Sequence, residues 1–127
     1  MPASDGSVYS PVGVLSESMP HPRSYGTMPC FLGKYCRDES LMDLATAIKK
    51  CTSLPASRIG LKERGRLLPG LCADIVIFDQ ATIIDLATYA EPHKYPAGIS
   101  DVFVNGVWTI QDGKPTGKVS GGVLKLG

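Results

Sequence analysis

The dipeptide Asn105-Gly106 lies between two apolar runs in DVFVNGVWTIQDG, residues 101–113, and constrains this chain more than any other feature. Asn and Gly both tolerate positive φ, and between β-branched and aromatic runs they specify a two-residue hairpin whose twist matches its strands. Asp112-Gly113 offers a second turn, and residues 119–126 read as a last short strand. Upstream, Leu67, Leu68 and a Pro69-Gly70 turn lead into ADIVIFD, residues 73–79, a β-branched run bounded by aspartates that predicts another strand. Residues 80–100, with Pro92, His93, Tyr95, Pro96 and Gly98, read as a surface excursion between the strands, and Trp108 reads as core.

The first half has a different vocabulary. Residues 1–28 hold many prolines and glycines and no hydrophobic period, which predicts a long loop. Leu41, Leu44, Ala45 and Ile48 then recur at helical spacing behind Ser40 and Asp43, a capping-box pair, with Lys49 and Lys50 in the last turn where cations suit the helix dipole. This predicts a helix near 41–51. A shorter one is expected from 54 to 59, with Ser53 as cap, Pro55 in the first turn and Gly60 just past the end, and a third over Phe31 to Arg37. Helices followed by a small antiparallel sheet make an α+β chain.

Its 127 residues suffice for one domain with a modest core. Thirteen basic and twelve acidic residues give a net charge of +1 without any like-charged run, so neither nucleic acid nor a membrane surface is an expected partner. No apolar run approaches the roughly 18 residues of a membrane span. The four cysteines, at 30, 36, 51 and 72, form no CxxC pair and read as reduced, mostly buried thiols of a cytoplasmic protein.

Few residues carry chemistry. Asp5, in Ala3-Ser4-Asp5-Gly6, reads either as a turn residue or as an exposed carboxylate able to bind a metal or take a proton from water. His21 and Arg23 flank Pro22; in an extended segment their side chains would share one side, and the planar fork of Arg23 suits either a ligand carboxylate or a structural ion pair. His93 reads as packing within its loop. With only two histidines, a histidine-rich catalytic zinc site within this chain is not expected.

Taken in order, ASDG, PHPRSYGT, TAIKKCTSLPASRIGLKERGRLLPGLCADIVIFD, GISDVFVNG and QDGKPTG resemble the C-terminal part of the N-acyl-D-amino-acid deacylases, or D-aminoacylases, of the amidohydrolase superfamily. The helix-to-strand segment alone suggests only an amidohydrolase end, and PHPRSYGT narrows the match. The resemblance implies the end of a (β/α)8 barrel over residues 1–62, followed by a small β-domain, part of a β-sandwich, over 63–127. It implies zinc in the full-length enzyme, with most of the ligands upstream and none expected to bind to this chain alone. Asp5 would sit at the end of the eighth barrel strand, contact the metal and activate the attacking water. Arg23 would hold the carboxylate of an N-acyl-D-amino acid, and His21, Pro22, Tyr25 and Gly26 would shape its loop. One departure is Cys30, which stands where the family has arginine after the proline. The alternative to an enzyme fragment is a separately produced noncatalytic module that binds a partner, completes a barrel supplied by another chain or self-associates through exposed Leu41, Leu44 and Ile48.

Overall fold

The computed structural model describes residues 1–125, which divide into two compact units. Of the described residues, one comprises Met1, residues 48–79 and 99–125; the other comprises residues 2–47 and 80–98.

The first unit holds a four-stranded antiparallel sheet in the order β1 (Ile75–Phe78), β2 (Ile99–Val104), β3 (Val107–Gln111) and β4 (Lys114–Pro115). The hairpin forms where its turn residues require it. Val104 pairs with Val107, and Asn105 and Gly106 take φ of 50° and 76°. Asp112 and Gly113, at 49° and 73°, make the second such turn between β3 and β4. Trp108 is not core: it is 37% exposed, stacked on Phe103 with centroids 5.1 Å apart, and its indole N–H donates to Asp101 Oδ1 at 2.9 Å. No strand forms over 119–125, and the end of that expected strand, Leu126, lies outside the described residues.

A polar hub holds the hairpin turn. Asp74 Oδ1 accepts from the Asn105 amide at 2.8 Å and Oδ2 pairs with Arg64, which also donates to Asn105 Oδ1 at 2.6 Å. Partial burial works to raise the Asp74 pKa, but the Asn105 amide and the Arg64 guanidinium outweigh it and hold the carboxyl below its ordinary value of 3.8. Asp74 thus sheds its proton more readily folded than unfolded. The hub contributes stability that is fully present above 3.8 and is lost as pH falls through the depressed folded value. Acid unfolding followed by Trp108 fluorescence should show this loss, and Asp74→Asn should flatten it.

The sheet unit also carries α3 (Ser53–Arg58), with Pro55 in its first turn and Gly60 at φ 78° past its end. Its N-cap is Thr52 rather than Ser53, without a side-chain cap hydrogen bond. Ala56 is the one buried residue of this unit among those described. Every strand residue is at least partly exposed, Val76 and Ile77 by about half.

In the second unit the expected loop of residues 1–28 is overturned at its end: Arg23–Cys30 is α-helical (α1). Proline and glycine normally signal a loop, but a proline at a helix start loses no needed donor and presets φ. Pro22 already has helical dihedrals, φ −50° and ψ −28°. Gly26 sits within α1 because nothing larger fits: a Cβ there would lie 2.5 Å from the Asp85 Cβ. Pro29, buried inside the helix, has no N–H to donate, and a wider π-wound segment, Phe31–Asp38, follows directly. The third helix expected over 31–37 is this continuation.

Residues 80–98 are no mere surface excursion, for they supply buried Ile83, Ala87 and Pro92 to this unit. Arg37 ties the segment down by donating from Nη1 to the carbonyls of Gln80, Ala81 and Ile83, at 3.3, 3.1 and 2.8 Å. Gly33 lets the backbones touch, since a Cβ there would meet the Ile83 carbonyl oxygen at 2.2 Å. Cys36 is buried with them and the other three cysteines are only half-buried; none of the four forms a disulfide.

The expected helix near 41–51 is α2 (Leu44–Cys51). Asp43, not Ser40, caps it: Oδ1 accepts from the Thr46 amide and Oδ2 from the Thr46 hydroxyl, both at 2.8 Å, which holds the carboxyl below its usual range. Ser40 instead takes φ 50° outside the helix. Of the expected apolar stripe, Leu41 is exposed, Leu44 and Ile48 are half-buried, and the buried helix residue is Ala47.

Candidate functional site

The residues singled out from sequence gather in the unit of 2–47 and 80–98, around the start of α1. Asp5 takes φ 47°, its side chain is 86% exposed, and Oδ2 pairs with Arg23 Nη2 at 2.8 Å. Asp5 and Arg23 are thus brought together although 18 positions apart in sequence. The extended geometry expected for His21-Pro22-Arg23 is overturned by the helix start. The Arg23 amide donates to His21 Nδ1 at 3.0 Å instead of the two side chains lying in parallel.

Two histidine–tyrosine pairs flank this ion pair, and hydrogen-bond logic settles their tautomers. An amide only donates, so His21 Nδ1 is the acceptor and the proton lies on Nε2, 2.9 Å from the Tyr89 hydroxyl. A carbonyl only accepts, so His93 carries its proton on Nε2, 2.6 Å from the Ser18 oxygen, and Nδ1 accepts from the Tyr25 hydroxyl at 2.9 Å. Tyr25 also makes edge-on contacts with the rings of His93 and Tyr95, both at 5.7 Å. Burial, then the nearby Tyr95 phenol, raises the Tyr25 pKa and keeps its hydroxyl a donor. Tyr89 and Tyr95 carried no motif or period that would have marked them in sequence.

Gly26 belongs to α1 and to its contact with Asp85, not to a loop. Cys30, the departure noted above, also faces Asp85: burial first, then the hydrogen bond to that carboxylate, pushes the thiol pKa up. An arginine at position 30 would meet a negative partner there, whereas the thiol is a weak donor.

These residues do not by themselves make a metal centre. Both ring nitrogens of both histidines are engaged, and among the described residues no group of three His, Cys, Asp or Glu side chains could hold an ion. Asp5 could offer one oxygen. No helix among the described residues is long and apolar enough to cross a membrane.

A model described as "Amidohydrolase family" matches residues 10–110. D-aminoacylase of Alcaligenes xylosoxydans xylosoxydans is 46% identical over 112 residues, which cover 88% of this chain and 23% of that protein. A crystal structure of D-aminoacylase superposes with a TM-score of 0.77 at 48% identity, over 79% of this chain and 21% of that one. N-acyl-D-glutamate deacylase from Bordetella bronchiseptica, solved with zinc and a phosphonate inhibitor that mimics the tetrahedral intermediate, superposes with a TM-score of 0.71 at 44% identity, covering 76% of this chain and 21% of that one. The chain belongs to the amidohydrolase family, and its relatives within it are D-aminoacylase and N-acyl-D-amino-acid deacylases. It spans under a quarter of the length of these relatives.

Proposed function

We propose that this chain is the C-terminal part of a zinc-dependent, cytoplasmic amidohydrolase that converts N-acyl-D-amino acids to a D-amino acid and a carboxylate. Residues 1–62 form the end of its (β/α)8 barrel and residues 63–127 a small β-domain. The observation that carries this reading is the exposed pair of Asp5 and Arg23 at 2.8 Å. In an N-acyl amino acid the carboxylate is separated from the scissile amide nitrogen by a single carbon. A proton-accepting carboxylate and an anion-binding guanidinium must therefore lie side by side. The substrate carboxylate takes the place of Asp5 on the Arg23 fork, where two charge-assisted hydrogen bonds orient it. Asp5 accepts a proton from the attacking water and returns it to the leaving amine. His21, Tyr25 and Gly26 hold the backbone that carries Arg23.

Zinc in the whole enzyme would polarise the amide carbonyl and lower the pKa of a bound water. Among the described residues Asp5 is the candidate ligand, and the remaining ligands would come from the rest of the enzyme. The sheet supports the same reading, because a sheet needs an apolar layer against it and this one has no buried strand residue. The alternative, a noncatalytic module that docks on a barrel from another polypeptide or on itself, rests on half-exposed Val76 and Ile77. The native mass of the polypeptide in its cells separates the two. A species several times heavier than 13.5 kDa that releases D-amino acids and loses activity to a chelator supports the enzyme. A species at 13.5 kDa overturns it in favour of the module.

A further inference from the structure

His21 lies directly ahead of Pro22, the N-cap residue of the helix that presents Arg23, and because the Pro22 dihedrals are already helical the groups of His21 reach the first free amides of that helix. Its main chain and side chain both act there: the His21 carbonyl accepts from the Ser24 amide at 3.0 Å and Nδ1 accepts from the Arg23 amide at 3.0 Å. A side-chain acceptor two residues ahead of an otherwise orphaned amide is the N-cap arrangement, a place usually taken by Ser, Thr, Asp or Asn. The Arg23 guanidinium sits at the end of a flexible stem, and its amide is what anchors that stem. A neutral imidazole can serve as this acceptor only in the Nε2–H tautomer, which the donating Arg23 amide selects, and the Tyr89 hydroxyl, 2.9 Å from Nε2 and edge-on to the ring at 5.0 Å, accepts from that N–H and fixes the ring plane.

The geometry points to His21 as a positioning residue that caps α1 through Nδ1 and so fixes Arg23 for the substrate carboxylate, with Tyr89 holding its ring in place. This rests on the reading of Arg23 given above, and it assigns His21 neither contact with substrate nor a part in proton transfer. Asn at position 21 can cap in the same way, and Ala cannot.

The test uses His21→Ala, His21→Asn and Arg23→Ala in the full enzyme that carries this chain, assayed with an N-acyl-D-amino acid and with its carboxamide analogue. His21→Ala should raise KM for the acid about five- to tenfold with kcat within about twofold, leave KM for the carboxamide unchanged, and be largely rescued by His21→Asn. Backbone amide exchange at Arg23 should speed up in His21→Ala and recover in His21→Asn. Equal damage from Ala and Asn, a fall in kcat without a change in KM, or an Arg23 amide as protected in His21→Ala as in the parent would overturn the cap. If Arg23→Ala leaves KM unchanged, the carboxylate reading of Arg23 fails instead, while the exchange data still decide the cap.

Discussion

Asp5→Asn should lower kcat of the full enzyme by about a thousandfold, the middle of the range for removing a positioned general base. Asparagine keeps the size of the side chain, and residue 5 stands at φ 47°, a conformation that asparagine tolerates as well as aspartate does. The amide cannot accept the water's proton at any working pH, so the loss falls on the chemical step. KM for the acid should stay within about threefold, because Arg23 is retained to bind it. Steady-state kinetics on enzyme of unchanged thermal midpoint read this out. A variant retaining more than a tenth of parental kcat would remove Asp5 from the proton-transfer role.

Arg23→Ala should instead raise KM for N-acyl-D-amino acids by about a hundredfold. Two hydrogen bonds to a charged group are lost, each contributing about 1.5 kcal/mol at the lower end of the range, and 2.7 kcal/mol already corresponds to about a hundredfold. A carboxamide analogue should be nearly indifferent to the change, since it presents no anion to the fork. Arg23→Lys should recover only part of the affinity, because an ammonium is a point charge without the paired, planar donors. A Lys variant matching the parent would mean that charge alone, and not the bidentate geometry, holds the substrate.

The two effects differ in kind because the two residues do. Asp5 contributes a proton acceptor, which has no partial substitute, and Arg23 contributes binding that falls off by degrees. Their contact at 2.8 Å couples them: Asp5 occupies the fork that the substrate carboxylate would take. Double substitution should therefore not give the product of the single effects, as expected of groups in direct contact.

The hairpin was legible because its cause is local. Asn105-Gly106 and Asp112-Gly113 carry their positive φ in their own chemistry, and the turns form wherever the chain runs. The helix at 44–51 was legible from its period, though not its cap: Ser40 and Asp43 are both acceptable cap residues, and only the folded backbone selects Asp43. Asp5 and Arg23 were legible as candidates through the order of motifs. Their side-by-side placement was not, since nothing local specifies a contact across 18 residues.

The misreadings share one physical cause. Residues 23–28 looked like the end of a loop over 1–28 because Pro22, Gly26 and nearby Pro29 oppose helix by propensity, yet Pro22 stands where a helix accepts proline and Gly26 stands where Asp85 leaves no room for a side chain. Residues 80–100 looked like surface because prolines and polar groups fill them, yet Ile83, Ala87 and Pro92 are buried and Arg37 donates to the carbonyls of Gln80, Ala81 and Ile83. Trp108 looked like core by its type and is 37% exposed, stacked on Phe103 in a sheet whose strand residues are all at least partly exposed. Turns, strand periods and the acid and base chemistry available to the chain follow from its amino acids, because φ preference, side-chain alternation and ionisable groups belong to single residues. The helix at Arg23, the histidine tautomers and the meeting of Asp5 with Arg23 come from tertiary structure alone, because each is decided by which distant group fills the remaining space or hydrogen bond.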